Sequence, residues 1–249
     1  MTRPLAVAVM AAGKGTRMNN PSMAKVMYPI EGRPMVEYVV DTARDIGASR
    51  IIVIVGWQKE SVREHLAGRG VEFVDQVPQL GTGHAVMQTR KLLEGFAGDL
   101  LVLSGDVPLL RAETCRALLE RHRASGAAAT LLTCMMADPA GYGRVIRTPE
   151  GGVRRIVEEK DATEEEKAVE EVNTGIYVFD AKTLFEALEH LTPTNAQKEY
   201  YLTDVFGWLR TKGLPIAASP TGAIHEVMGI NTPAQLEEAR RAMAERRGG

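Results

Sequence analysis

Residues 7–18 read VAVMAAGKGTRM. An apolar run stops at Ala11 and Ala12. Gly13 and Gly15 then bracket Lys14, Arg17 follows closely, and Lys25 lies a little further on. Glycines let backbone N–H groups turn tightly and approach a ligand. The cations add fixed positive charge, so the loop suits an oligophosphate. The Gly-Lys-Ser/Thr ending of the P-loop is absent, and Met18 stands where the dinucleotide fingerprint needs its third glycine. An ordinary glycine-rich strand-to-helix turn has the same composition.

A second element of chemistry is LLVLSGDVPLL at 100–110, which sets the Asp106 carboxylate at the end of an apolar run. Such an acid caps the following helix or binds a divalent cation. Beside a phosphate loop it would repel the ligand. Mg²⁺ between them removes the conflict, because Mg²⁺ takes one or two carboxylates together with substrate phosphates. Between these segments lies QVPQLGTGHAV. Gln76 and Gln79 carry the paired donor and acceptor that read a base edge, and Gly81-Thr82-Gly83 lets the backbone approach a flat ligand. His84, opening a helix, reads as a packing or capping residue. Glu158 follows the apolar pair Ile156-Val157, so it either joins the solvated charge run behind it or emerges into a crevice. Asn173, in a β-rich run before Gly175, and Asn231, before Thr232-Pro233, have turn or helix-entry readings beside any binding role.

The elements that must position these residues alternate. Leu5–Met10, Ile51–Val55, Val71–Val74 and Leu100–Leu103 read as strands, with helices over 34–47, 61–66 and 84–93 between them. The pattern predicts an α/β fold: a Rossmann-like, open, mostly parallel sheet flanked by helices. Ligands in such sheets bind beyond the carboxyl ends of the strands, where both the opening loop and Asp106 fall. The second half is mixed, with strands at 130–136, 154–158 and 172–179 and helices at 181–190, 200–210 and 233–246. It reads as a mixed β lobe that supplies a second wall.

The chain has 249 residues, 45% hydrophobic and 25% charged, with a formal net charge of -2. A large core follows, and a general nucleic-acid binder is disfavoured, since that class is strongly basic. No apolar run reaches the ~20 residues of a membrane span. Cys115 and Cys134 fit no zinc or redox spacing and read as buried hydrophobes. The expectation is a cytoplasmic protein with neither nucleic-acid nor membrane partners.

MAAGKGTRM, QLGTGHA, GDVPLL, GYGRV, VEEKDAT, EVNTGIYVF, NAQKEYYLTD and GIN occur in this order. Together they resemble the sugar-1-phosphate nucleotidylyltransferases, and in particular the uridylyltransferase half of the bifunctional enzymes that act on N-acetylglucosamine-1-phosphate. The likeness runs from about Val7 to Asn231. It implies transfer of a uridylyl group from UTP to N-acetylglucosamine-1-phosphate with Mg²⁺. By position, Met10, Ala11, Ala12, Gly13 and Gly15 would contact the nucleotide, and Gln76, Gly81 and Thr82 would recognise uracil. Arg17 and Lys25 would hold phosphates as the catalytic cations. Asp106 and Asn231 would hold Mg²⁺, and Gly143, Glu158 and Asn173 would hold the amino sugar. The implied division is a nucleotidyltransferase domain over 1–229, with a nucleotide half to about 110 and a sugar half over 111–229, and an arginine-rich helix over 230–249.

The sequence departs from that family at Ala24, where proline is usual before the lysine, and at Met27-Tyr28, in place of leucine-histidine. No hexapeptide repeat of the kind that builds the acetyltransferase domain of the bifunctional enzymes is read within these 249 residues. The terminal helix is expected to pack on the domain, and an oligomer is compatible with it but not implied. The alternatives are a nucleotidylyltransferase for another sugar phosphate or nucleotide, a non-catalytic nucleotide-sugar-binding module, and a purely structural subunit.

Overall fold

The computed structural model describes residues 3–18, 20 and 22–248. The outer limits of the expected division, residues 1 and 249, lie outside the described residues. The strands are β1 (Leu5–Ala11), β2 (Pro29–Ile30), β3 (Arg33–Pro34), β4 (Arg50–Val55), β5 (Glu72–Asp75), β6 (Asp99–Ser104), β7 (Ala129–Met135), β8 (Gly143–Arg147), β9 (Val153–Val157), β10 (Glu171–Asp180) and β11 (Ile216–Thr221). The helices are α1 (Met35–Asp45), α2 (Lys59–Leu66), α3 (Thr82–Met87), α4 (Ala112–Ser125), α5 (Glu164–Lys167), α6 (Ala181–Leu188), α7 (Asp204–Thr211), α8 (Ile224–Val227) and α9 (Pro233–Gly248).

Apart from the β2–β3 hairpin, the described strands form one nine-stranded sheet ordered β11-β7-β10-β6-β1-β4-β5, with β8 paired to β10 and β9 to β8. Strands β6, β1, β4 and β5 run parallel, as do β7 and β11. Only β10 opposes its neighbours along that path, β6 and β7. Because β10 runs backwards, its first residues lie at the rim where β1 and β6 end. That reversal carries Asn173 to the carboxyl edge of the sheet.

Alternation along the central strands builds two cores. Val7, Val9, Ile51, Val53, Val55, Leu101 and Leu103 face one side, against Val36, Val39 and Val40 of α1, Val62 and Leu66 of α2 and Leu118 of α4. Ala6, Ala8, Ile52, Ile54, Leu100 and Val102 face the other, against Leu184 of α6 and Val205, Phe206 and Leu209 of α7. A strand covered on both faces needs no polar positions, which is why 51–55 is an unbroken apolar run. A third, smaller cluster joins Leu236, Ala239 and Met243 of α9 to Met18, Ile30, Met35 and Leu109. The terminal helix therefore packs on the domain, against the segment that follows the glycine loop.

Several element expectations are corrected. The helix expected over 84–93 is α3, ending at Met87, and turns follow it to Gly95. The helix expected from 200 starts at Asp204, because Tyr200 pairs its backbone with Leu80 and Gly83 instead. The strand expected over 154–158 ends at Val157, leaving Glu158 just beyond it. Helix α4 and strands β8 and β11 were not expected. Pro34 sits at the cap of α1 rather than inside it.

One strained position yields a test. Lys198 is exposed and holds φ 56°, in the left-handed region. That conformation costs a side-chain-bearing residue roughly 1–2 kcal/mol, part of which glycine returns through its freer unfolded chain. Lys198→Gly is expected to stabilise the fold by up to about 1 kcal/mol, seen as a higher denaturant midpoint.

Candidate active site

The glycine loop leaves β1 at Ala11 and Ala12, both buried. Gly15 has φ 61°, and a Cβ there would lie 2.5 Å from the Lys25 Cβ. The glycine thus admits the lysine stem across the loop. Ala24 is fully buried, and the Tyr28 hydroxyl donates to the Met18 carbonyl at 2.9 Å. The departures at 24 and 27–28 therefore leave Lys25 firmly placed.

Lys25 is the centre of the arrangement. Its Nζ is ion-paired with Asp106 Oδ2 and donates to Asn231 Oδ1 at 2.8 Å. Arg17 Nη2 donates to the same Asn231 oxygen at 2.9 Å. Residues from the first loop, the end of β6 and the entrance of α9 thus meet at one point. The Asp106 segment is tied in by its backbone: Gly105 N donates to Met10 O at 2.9 Å, and Ile230 N to Asp106 O at 2.9 Å.

A cleft of ≈ 500 Å³ opens beside this cluster. Met10, Ala12, Gly13 and Lys25 line one wall, Gln76, Gly81 and Thr82 the other, and Asp106 the end. Gln76 is buried, and its Nε2 donates to Gly81 O at 2.8 Å. That leaves its carbonyl oxygen for a base edge. His84 Nδ1 lies 3.3 Å from Gln76 Nε2, and burial lowers the His84 pKa. The neutral imidazole props Gln76, as the packing reading expected. The opposite wall is held by backbone. Gly83 N donates to Tyr200 O at 2.7 Å, Tyr200 N to Leu80 O at 2.8 Å, and Leu202 N to Thr82 Oγ1 at 3.0 Å. Gly81 has φ 105°, and its absent Cβ would meet Tyr200 O at 2.6 Å, so only glycine fits.

Gly143, Glu158 and Asn173 also come together, away from the first cleft. Gly143 and Asn173 are register partners across β8 and β10, and a Cβ on Gly143 would lie 3.4 Å from Glu158 Oε2 and 3.5 Å from Asn173 Cβ. Glu158 borders a second cleft of ≈ 430 Å³, with Thr203, Tyr201 and Asp204. Asn173 is buried with both polar ends engaged: Nδ2 donates to the Tyr177 hydroxyl at 2.7 Å, and Oδ1 accepts from Gly175 N at 3.2 Å. Its local job is to close the bulge in β10.

Burial pushes the Glu158 carboxyl above the ordinary glutamate range; the Thr203 hydrogen bond at 3.0 Å opposes this, and Asp204, Asp161 and Glu199 add to it. A raised folded-state pKa makes stability relatively greater at low pH and lost as pH rises through the folded value. Glu158→Gln keeps an acceptor for Thr203 and removes the buried charge. The variant is expected to melt higher than the parent at about pH 7.5, with the gain vanishing below about pH 4. Thermal melts across that range check it.

Two oxygens, Asp106 Oδ2 and Asn231 Oδ1, thus share one cation, the Lys25 ammonium. Gly229 keeps the space beside them open: a Cβ there would lie 3.5 Å from Asp106 Oδ1 and 3.5 Å from Asn231 Nδ2. Among the described residues no group of three or more His, Cys, Asp or Glu could hold a metal alone. One carboxylate and one amide oxygen suit a hard divalent cation that draws its other ligands from phosphate and water.

The match to known proteins follows the same residues. The MobA-like NTP transferase domain family matches residues 7–202, from β1 through the Tyr200 wall. The chain belongs to that family. It is 50% identical over 243 residues to the bifunctional protein GlmU of Geobacter metallireducens, covering 97% of this chain and 51% of that protein. It is 48% identical over 238 residues to the bifunctional protein GlmU of Listeria monocytogenes, covering 96% of this chain and 52% of that one. The chain therefore spans about half the length of the curated relatives it matches. Its backbone superposes on UDP-glucose pyrophosphorylase complexed with UDP-glucose at a TM-score of 0.76, with 18% identity over 99% of this chain and 100% of that one. The same α/β fold, a mostly parallel sheet between helices, is shared.

The glycine-loop cleft includes residues that sequence reasoning did not select. Glu199 reaches it only because Tyr200 pairs with the 80–83 loop. Ser104 sits one residue before Gly105 at the strand end, a position that could have been found from the strand reading. Lys14, which the sequence did mark as a loop cation, also lines the cleft, with its ammonium 5.2 Å from the Trp57 ring centre. Gln79, which the sequence paired with Gln76 as a reader of a base edge, has its Nε2 donating to Ala12 O at 2.5 Å, which ties the two segments together.

Proposed function

We propose that this chain is a nucleotidyltransferase that moves a uridylyl group from UTP to N-acetylglucosamine-1-phosphate, giving UDP-N-acetylglucosamine and pyrophosphate. The observation that carries this is the meeting of Lys25, Arg17, Asp106 and Asn231 beside the glycine-loop cleft, which Lys25 and Asp106 line. The likeness to GlmU proteins supports the choice of sugar and nucleotide.

A phosphate monoester has its second pKa near about 6, so the attacking oxygen is already mostly deprotonated and needs no base. That oxygen attacks the α-phosphorus of UTP; the bond from the α-phosphorus to the bridging oxygen breaks, and pyrophosphate leaves with the electron pair. Gln76, Gly81 and Thr82 hold the base against one wall, which aligns the α-phosphorus with the cations. The backbone from Met10 to Gly15 approaches the triphosphate. Lys25 and Arg17 offset the charge that gathers on the transferred and leaving oxygens. Gly143, Glu158 and Asn173 seat the amino sugar so that its phosphate faces Asp106. Asp106 and Asn231 would hold Mg²⁺, which when bound would add charge neutralisation between the two anionic substrates.

On this reading, residues to about 110 form the nucleotide side and residues 111–229 the sugar side of one domain. Both cysteines are free and buried, and no described helix is long and apolar enough to cross a membrane; we place the protein in the cytoplasm. Pyrophosphate release measured across an array of nucleoside triphosphates and sugar-1-phosphates tests the assignment. UTP with N-acetylglucosamine-1-phosphate is expected to be the fastest pair. A faster pair would reassign the substrates, and binding without turnover would make the chain a sensor.

A further inference from the structure

The entrance of α9 is built more tightly than a helix start requires. Thr232 and Gln235 form a reciprocal cap: Gln235 N donates to Thr232 Oγ1 at 3.3 Å, and Thr232 N donates back to Gln235 Oε1 at 3.1 Å. The same Oε1 also accepts Asn231 N at 2.8 Å. A capping box needs only the first two bonds; the third reaches back to the residue whose side chain faces Asp106. The Asn231 amide is fixed from its other end too, because Nδ2 donates to Gly229 O at 3.0 Å. With its nitrogen committed there, Oδ1 is turned toward Lys25 and Arg17.

The helix behind this cap is anchored. Leu236, Ala239 and Met243 are buried against Met18 and Leu109, which lie just after the glycine loop and just after Asp106. Arg240 Nη2 donates to Pro29 O at 2.9 Å, and Arg246 Nη1 to Leu109 O at 2.7 Å. Gln235 is therefore a fixed post, and its single oxygen holds the backbone of residues 231 and 232.

We infer that Gln235 is a positioning residue: its side-chain oxygen sets the aim of Asn231 Oδ1 and thereby the strength with which the Asp106–Asn231 pair holds a divalent cation. This rests on the reading of those two oxygens as the cation site. A side chain that orients a metal ligand typically contributes 10–100-fold in metal affinity. The oxygen is what matters, so glutamate should replace glutamine, and leucine of similar size should not.

The test uses Mn²⁺ as the probe, followed by the loss of free-ion EPR signal, in the whole chain and three variants. Gln235→Leu is expected to weaken Mn²⁺ binding by roughly tenfold or more, and Gln235→Glu to bind within about threefold of the parent. Met243→Ala removes one of several anchors of α9 without touching the cap; it is expected to lower the melting temperature and to weaken Mn²⁺ binding far less than Gln235→Leu does. The inference is overturned if Gln235→Leu binds Mn²⁺ as the parent does, if Met243→Ala weakens binding as much as Gln235→Leu, or if the parent binds no Mn²⁺. None of these readouts needs turnover. A parent that binds Mn²⁺ but releases no pyrophosphate with any substrate pair would remove the proposed reaction and leave the Gln235 result to stand or fall separately.

Discussion

Asp106→Asn is expected to lower turnover by about 10³-fold while the protein stays folded. Asp106 is buried, and its carboxylate supplies one of the two oxygens that meet Lys25. Asparagine keeps the volume and leaves the backbone bond from Ile230 to Asp106 O in place. What is lost is one negative charge next to Lys25 and the space beside Gly229. If that charge holds a cation between two anionic substrates, its loss falls on the transition state. The loss should then be in kcat more than in KM for the sugar phosphate, with circular dichroism and melting temperature close to the parent's. A variant that turns over normally would remove Asp106 from the mechanism.

Lys25→Met separates two roles that the geometry overlays. The ammonium pairs with Asp106 and donates to Asn231, the two residues whose oxygens are proposed to hold the divalent ion. Methionine keeps the stem that crosses Gly15 and deletes the charge. Turnover is expected to fall about 10²-fold, close to 2.7 kcal/mol of transition-state stabilisation. Half-saturation by Mg²⁺ is expected at a lower concentration, because the competing ammonium has gone. Steady-state rates over a Mg²⁺ titration show both effects. A fall in rate with half-saturation by Mg²⁺ at an unchanged or higher concentration would mean that Lys25 and the ion do not share the two oxygens.

The parts of this site that were legible in the sequence are those built from neighbouring residues. Gly13, Lys14 and Gly15 follow a buried strand directly, and Asp106 ends another, so strand periodicity alone placed both at one edge of the sheet. The flat-ligand reading of Gly81-Thr82-Gly83 rested on the same local logic. The mate of Asp106 was different. Asn231 lies well over a hundred residues away, and its own neighbours, Thr232 and Pro233, spell only a helix entrance; it was named through resemblance to a family. Glu199 was missed because a backbone pairing between two loops brings it to the cleft, and no periodicity records such a pairing.

The fold shows the same division. The order of the main strands and helices of the first half was legible, though not the length of α3, because each strand's apolar run and each helix's stripe are local. The place of β10 was not legible. Its apolar residues go to both cores, Val172, Ile176 and Val178 to one side and Tyr177 and Phe179 to the other, so the pattern marks a buried strand without giving direction or neighbours. Helix α3 stopped early because Thr89 and its neighbours form tight turns where the apolar spacing alone continued a helix. The residues alone left Glu158 open between the charge run behind it and a crevice; it borders a cleft, whereas α5 at 164–167 has no buried residue.

The most direct measurement follows the α-phosphorus itself. The protein is incubated with UTP carrying ³²P at the α position, N-acetylglucosamine-1-phosphate and Mg²⁺, and the products are separated. The account predicts that the label moves into UDP-N-acetylglucosamine, with unlabelled pyrophosphate formed in equal amount and neither product formed after chelation of the divalent ion. Label recovered as UMP, or no labelled sugar nucleotide from a protein that binds UTP, would contradict it.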